Sequence, residues 1–371
     1  MVDQAGAPAE QKIGAVTIKV VGVGGGGSNA VSRMYHDPIT EVEYICVNTD
    51  HQALSRMEVP TRLRIGDKTA RGLGVGGEPE KGRDCADESR DEIRAVLQGA
   101  DLVFVAAGMG GGTGTGAAPI VAEVARELGA LTVGVVTKPF RFEGGRRMRQ
   151  AQDGIAKLQG VVDTLIVIPN DRLIAMATEA LSLDASFRLA DDVLRQGVQS
   201  IAELILVPGE INLDFADVRA IMKNAGPAWM AIGHGTGPDR AVKAAEEAVA
   251  SPLLEVSIEG AKGVIFNVTG GADLTLAEVH EASEVITRYA DPDANIIFGT
   301  VTDPKLENEI KLTVIATGFP KAQAEDASPQ RTQESLKEVL SNSDHMDLPP
   351  FLRYSPAARR RLSNGAGTNG R

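Results

Sequence analysis

Two glycine clusters limit what this chain can fold into. "VVGVGGGGSNAV", Val20 to Val31, sets four consecutive glycines between an apolar run and the start of a helical pattern, and "AAGMGGGTGTGAAP", Ala106 to Pro119, repeats the arrangement further on. Bare backbone at the entrance of a helix suits an anion, because the first amides of a helix lack intrahelical acceptors and its dipole favours negative charge. The clusters follow the first and fourth of six strand-like runs: "IKVVGV", "EYICVNT", "RLRIG", "DLVFVAAG", "LTVGVVT" and "TLIVIP". These runs alternate with helical patterns, which predicts an α/β fold with a parallel sheet covered on both faces. Ligands on such sheets bind at the carboxyl ends of the strands, where the glycines are.

At 371 residues the chain exceeds the usual size of one hydrophobic core, and its 43% apolar residues can fill two. Residues 1–15 are small and polar and are expected to form a disordered extension, with the glycine clusters in a first domain over 16–183. In "DASFRLADDVLRQGVQSIAELIL" the apolar residues Phe187, Leu189, Val193, Leu194, Val198, Ile201 and Leu204 recur at helical spacing. This predicts a long central helix over 184–207, stopped by Pro208 and Gly209. The strand-like "AWMAIGHG", "GVIFNVTG", "NIIFGTV" and "IKLTVIATG", with the helical "DRAVKAAEEAVAS" and "LAEVHEASEVITRYA", predict a second, smaller α/β domain over 208–318. A polar linker over 319–345 follows, then a tail over 346–371 that opens on the apolar knot "MDLPPFLR" and ends basic.

The formal charge of −12, from 38 basic and 50 acidic residues, argues against nucleic acid or an anionic membrane surface as a partner. No run approaches the ~18 apolar residues of a membrane span and the N-terminus has no signal-peptide pattern, so a cytosolic protein with no direct membrane insertion is expected. Cys46 and Cys85 lack CxxC spacing, and His36, His51, His234, His280 and His345 are scattered, so reduced thiols and no protein-built metal site are expected.

Gly22, Gly24 and Gly27 fit GxGxxG between a strand and a helix, which makes a dinucleotide site a candidate, with Asp50 as its ribose acid. That reading does not account for the second cluster. Two loops on neighbouring strands suggest one polyphosphate gripped from two sides, with a third turn, Gly72 to Gly77, closing over it. No GxxxxGK[ST] is present, which excludes a P-loop. For any single cluster the alternative is that its glycines serve tight turns and close strand–helix packing.

"AGMGGGTGTG", Ala107 to Gly116, resembles the signature loop of the tubulin/FtsZ superfamily. The flanking "GVGGGGSNAV", "NTD", "TKPFRFEG", "IPND", "ADDVLRQGVQ" and "INLDFADV", and the tail "DLPPFLR", resemble its bacterial FtsZ branch, in register from about Ile18 to Thr317. The resemblance implies a GTP-binding domain, a long central helix and a C-terminal domain. Carried onto matching positions, Gly24, Gly25, Gly26, Gly110, Gly111, Gly112 and Thr113 would hold phosphates. Glu143 and Arg147 would hold the ribose side, Asn29, Asn170 and Asp191 the base, and Phe187 would stack on it. A carboxylate such as Asp191 accepts from the N1–H and N2–H donors of guanine, an edge that adenine does not offer. Without the resemblance Phe187 reads as a core residue and Asp191 as a solvated acid.

No general base or phosphate-clamping lysine stands near the glycine loops. In "PGEINLDFADVR", Asn212, Asp214 and Asp217 form N-x-D-x-x-D. Asp214 has a structural reading as the N-cap of the following helix, with Asp217 complementing its dipole. The functional one is geometric: a helix of roughly 20 residues at ~1.5 Å each separates these acids from Asp191 by ~30 Å, out of reach of the same subunit's γ-phosphate. A head-to-tail neighbour would bring them within reach, and a heterologous contact that does not close builds a filament. In FtsZ this loop serves that role, so Asp214 and Asp217 would orient the attacking water and Asn212 would fix the loop. A Mg²⁺ ion would be held mainly by phosphates and water.

The tail resembles the family's C-terminal peptide, which docks onto membrane-linked division proteins, here through Asp347, Leu348, Pro349, Phe351, Leu352 and Arg353. The implied protein is a self-assembling GTPase at the division site beneath the inner membrane. The alternative is a low-turnover paralogue that binds GTP and copolymerises. His51 after "NTD", Gly145 in "EGGRR", Pro227-Ala228-Trp229 and the long basic extension depart from the family pattern, and none of them replaces an assigned site residue.

Overall fold

The structure is a computed structural model that describes residues 16–176, 182–207, 213–254 and 258–319. The expected N-terminal extension, Asn212, the linker after Phe319 and the tail peptide lie outside these residues.

The strands are β1 (Ile18–Val23), β2 (Val42–Asn48), β3 (Thr61–Arg64), β4 (Leu102–Gly108), β5 (Leu131–Lys138), β6 (Thr164–Pro169), β7 (Gly226–Thr236), β8 (Gly263–Gly270), β9 (Asn295–Thr302) and β10 (Glu309–Thr317). They form one sheet in the order β3-β2-β1-β4-β5-β6-β7-β10-β8-β9. From β3 to β7 every pairing is parallel, β10 runs antiparallel to β7 and β8, and β9 is parallel to β8.

The helices are α1 (Gly24–His36), α2 (His51–Ser55), α3 (Pro79–Glu88), α4 (Arg90–Leu97), α5 (Thr113–Glu127), α6 (Gly145–Gln159), α7 (Asn170–Met176), α8 (Leu183–Leu206), α9 (Phe215–Met222), α10 (Arg240–Val249) and α11 (Leu276–Tyr289). Strand alternation divides the side chains between two cores. Val20 and Phe104 join the core under α1 and α8, whereas the neighbouring Val21 and Val105 join the core under α3, α4, α5 and α6. All six residues of β1 are therefore buried, as a central parallel strand requires.

Helix α8 spans 24 residues, close to its expected limits. Ser182 accepts the Ala185 amide at 3.2 Å to start it, and Val193, Leu194, Val198 and Ile201 form its buried stripe. Its core also contains Ile265 of β8 and Ile315 of β10. The two regions read from the sequence thus share one sheet, joined where Thr164, Leu165 and Ile166 pair with Gly226, Pro227 and Ala228. A third core under α10 and α11 completes the far end.

Cys46 and Cys85 are buried free thiols, and burial pushes the Cys46 thiol up to about 11. Among the described residues no helix is long and apolar enough to cross a membrane, and no group of three His, Cys, Asp or Glu side chains is placed to hold a metal ion.

Candidate functional site

The first glycine cluster performs two jobs. Gly22 and Gly27 serve packing: a Cβ on Gly22 would sit 2.4 Å from the Gly27 oxygen, and one on Gly27 would sit 2.2 Å from the Ala106 oxygen. Gly24 has φ +71°, and its missing side chain lets the Gly114 amide approach. At Gly25 no atom lies within 4 Å of the Cβ position, and Gly25 and Gly26 are exposed. The second cluster divides in the same way. Gly110 (φ +96°) and Gly116 are crowded by the Arg147 and Pro79 carbonyls, whereas Gly111 is open.

Both clusters lead into helices, α1 and α5, that have no side-chain cap and no acid in the first turn. By contrast α2, α8, α9 and α11 are capped by Asp50, Ser182, Asp214 and Thr275. The uncapped amides and the positive dipole ends therefore remain available to an anion. Two hydroxyls brace the second loop: Thr115 Oγ1 accepts the Gly110 amide at 2.8 Å, and Thr113 Oγ1 lies 2.9 Å from Thr49 Oγ1 in a buried pair.

A cavity of about 350 Å³ opens at these carboxyl ends. Of the thirteen residues assigned to a nucleotide, ten line it: Gly25, Gly26, Gly111, Gly112, Thr113, Glu143, Arg147, Asn170, Phe187 and Asp191. Gly24 and Gly110 shape the loops behind it. Asn29 is exposed on α1 and is not among the residues that line the cavity. Gly74 to Gly77 of the third glycine turn also line the cavity, with Asn48, Asp50 and Thr137.

Each lining acid has a partner. Asp50 Oδ1 accepts the Gln52 and Ala53 amides as the cap of α2, an engagement that its reading as a ribose acid did not include. Glu143 accepts the Phe140 amide at 2.8 Å and pairs with Arg147 at 3.0 Å. Asp191 lies 2.6 Å from Arg33 of α1. Burial pushes its carboxyl up to about 6, against the opposing pull of Arg33. Asn170, in the same cavity wall, is 5% exposed and its Oδ1 has no hydrogen-bond partner. An unpaired buried acceptor and a carboxylate in one cavity wall ask for a ligand edge rich in N–H donors. Phe187 stands edge-on to Phe140 at 5.5 Å and is 39% exposed, which leaves part of its ring free to stack.

Asp214 and Asp217 lie elsewhere. Asp214 caps α9 by accepting the Ala216 amide at 3.1 Å, and Asp217 occupies the first turn of that helix. The structural reading of these acids is thus present in the fold. Both are exposed and neither lines the cavity. Beyond Asp191, α8 continues for fifteen residues to Leu206, or ~23 Å.

Residues 17–178 match the family model "Tubulin/FtsZ family, GTPase domain", and residues 226–320 match "FtsZ family, C-terminal domain". Among solved structures, the empty FtsZ dimer of M. jannaschii is 44% identical, with a TM-score of 0.79 over 82% of this chain and 88% of that one. A point mutant of M. jannaschii FtsZ is also 44% identical, with a TM-score of 0.80 over 82% and 92%. The GDP-bound CetZ1 monomer of Haloferax volcanii, at 20% identity and TM-score 0.70 over 82% and 95%, shares the fold. These likenesses leave the dinucleotide-site reading without support.

Proposed function

The chain belongs to the tubulin/FtsZ family, in its FtsZ branch, and on that premise we propose that it is a self-assembling GTPase whose subunits stack head to tail and complete one another's active sites. One observation carries this reading: the cavity is furnished for binding, yet every acid in its wall is engaged there, while two exposed acids stand beyond the far end of α8.

In this reading GTP lies with its phosphates on the open amides around Gly25, Gly26, Gly111 and Gly112 and its base between Phe187, Asn170 and Asp191. The open glycines and the unpaired Asn170 oxygen fit such a ligand. Since the described residues form no carboxylate cage, Mg²⁺ would be bound chiefly by phosphate oxygens and water, and would neutralise charge on the β- and γ-phosphates. Asp214 and Asp217 of the next subunit orient a water for attack on the γ-phosphorus; the bond to the bridging oxygen breaks, and GDP and phosphate leave. Capping does not compete with this, because Asp214 spends one oxygen on the Ala216 amide. Positioning and charge stabilisation supply most of phosphoryl-transfer catalysis, so a lone subunit hydrolyses slowly.

The cavity mouth also suits burial against a copy. Leu73 and Phe142 are 70% and 60% exposed, and with Ile174 and Phe187 they make four of the six exposed large hydrophobics among the described residues. All four belong to segments that form or adjoin the cavity wall, where a solvent-facing apolar rim marks a contact surface. One solved structure of the related M. jannaschii FtsZ is of a dimer. The tail segment Asp347 to Arg353 would tether the polymer to membrane-linked division proteins at the division site.

GTP turnover per subunit is expected to rise above a threshold protein concentration, together with light scattering, and ATP is expected to support neither. Turnover strictly proportional to protein would place the chemistry within one subunit and remove Asp214 and Asp217 from it. Assembly without turnover would mark a low-turnover copolymerising paralogue instead.

A further inference from the structure

Arg33 lies outside every assignment made above. It sits in the last turn of α1, with its side chain 38% exposed and not among the residues that line the cavity, and its Nη1 approaches Asp191 Oδ2 to 2.6 Å. That nitrogen is buried and has no directed hydrogen bond, so it meets the carboxylate as an ion pair. Among the described residues it is the ion-pair partner that Asp191 has. The other charged groups nearby are committed to partners of their own. Asp192 lies 3.9 Å from Arg195, Asp171 of α7 is tied to Arg141 at 3.2 Å, Asp50 caps α2, and Glu143 pairs with Arg147 four residues on.

The charge state of Asp191 decides which base its edge can read. An ionised carboxylate offers acceptors alone, which match the N1–H and N2–H donors of guanine. A protonated carboxyl offers one donor and one acceptor, the complement of the N1 acceptor and N6–H donor of adenine. We propose that Arg33 is a positioning residue for base selection, holding Asp191 ionised and aimed so that the site prefers guanine over adenine. This rests on the reading of the cavity as a guanine-nucleotide site.

The balance is close. Burial raises the Asp191 carboxyl to about 6 even with Arg33 beside it, and Asp192 pushes in the same direction. An opposite charge within ~4–6 Å is worth about 1–3 pKa units, so loss of Arg33 moves the transition toward or past neutral pH. The sign follows: Asp191 is protonated below the transition and ionised above it, so guanine preference fades as pH falls through it.

The test is calorimetric titration of GDP and ADP into the full chain between pH 5 and pH 8. The wild type is expected to hold its GDP-over-ADP preference above about pH 7 and to lose it below about pH 6, approaching tenfold per unit. Arg33→Ala shifts that fall upward by about one unit or more, so its preference at pH 7 drops by about tenfold or more. Arg33→Lys keeps the charge and a near-wild-type midpoint; Arg33→Gln gives the same test without charge if the alanine variant does not fold. A folded Arg33→Ala or Arg33→Gln with an unmoved midpoint overturns the proposal, as does an equal loss of both nucleotides at every pH, the mark of a merely structural role. Asp191→Asn separates the two readings, because it should show weak preference and no pH dependence. If it keeps the full preference, or if the wild type does not bind GDP, the guanine site itself is wrong.

Discussion

A one-to-one mixture of two inactive variants, Asp217→Ala and Gly111→Leu, is expected to hydrolyse GTP although neither does so alone. Asp217→Ala keeps an intact cavity but loses an acid from the surface proposed to face a neighbour, and should lose about 10²–10⁴ of turnover, the range for a positioned acid–base group. Asp217 is a cleaner probe than Asp214, which caps α9. Removing the cap costs about 1 kcal/mol of stability, whereas the acid in the first turn is worth roughly 0.3–1 kcal/mol. Gly111→Leu does the reverse. The position is open on the protein side and lines the cavity, so the side chain displaces phosphate while the acids at the other end stay in place. In an open head-to-tail filament assembled at random, about a quarter of the junctions join a sound cavity to sound acids. Phosphate release from the mixture should therefore reach that order relative to wild type, with scattering recorded in parallel. Activity no greater than the sum of the two separate variants, with assembly intact, would remove the shared site.

Local patterns carried most of the architecture. The apolar spacing from Phe187 to Leu204 marked α8 to within a residue of Leu183 and Leu206, and "IKVVGV", "TLIVIP" and "GVIFNVTG" coincide with β1, β6 and β8. These signals are legible because each is the period of one element written in consecutive residues. What the sequence did not disclose depends on residues far apart in the chain. The pairing of β6 with β7, which joins the two halves into one sheet, links residues about sixty positions apart. The ion pair of Arg33 with Asp191 spans two helices, and in isolation Arg33 is one of two basic residues in the last turn of α1. Thr49 belongs to the "NTD" stretch, but nothing in that stretch shows that its hydroxyl meets Thr113 sixty-four residues further on. The uncapped starts of α1 and α5 could have been anticipated, since neither loop offers the Ser, Asp or Asn that usually caps a helix immediately before it begins.

Glycines that look alike in the sequence are expected to fail in opposite ways when replaced. In Gly25→Leu and Gly111→Leu the new side chain meets no protein atom within 4 Å of its Cβ, and neither backbone has a positive φ. Folding should be preserved, with the nucleotide-free melting temperature close to wild type. GTP affinity should fall by at least about a hundredfold, or ~2.8 kcal/mol, because the side chain takes the space in front of the loop amides. Gly27→Ala and Gly116→Ala reverse the pattern. Both lie within helices, where alanine ordinarily gains up to ~1 kcal/mol over glycine. Here the added Cβ would stand 2.2 Å from the Ala106 oxygen and 1.9 Å from the Pro79 oxygen, both backbone atoms that cannot rotate aside. Relieving such contact means separating α1 from β4 or α5 from α3, and overpacking of this kind costs about 1–3 kcal/mol or more. Calorimetric melting without nucleotide should show these two variants lowered by several degrees, at roughly 2–4 °C per kcal/mol. Equal melting temperatures across all four variants would mean that the clusters are not divided between packing and ligand, and that the open backbone at Gly25 and Gly111 has no bearing on phosphate. The division itself explains why four glycines stand in a row. Gly24 turns the chain, Gly25 and Gly26 present it to the cavity, and Gly27 lets α1 settle onto the sheet that holds the loop in place.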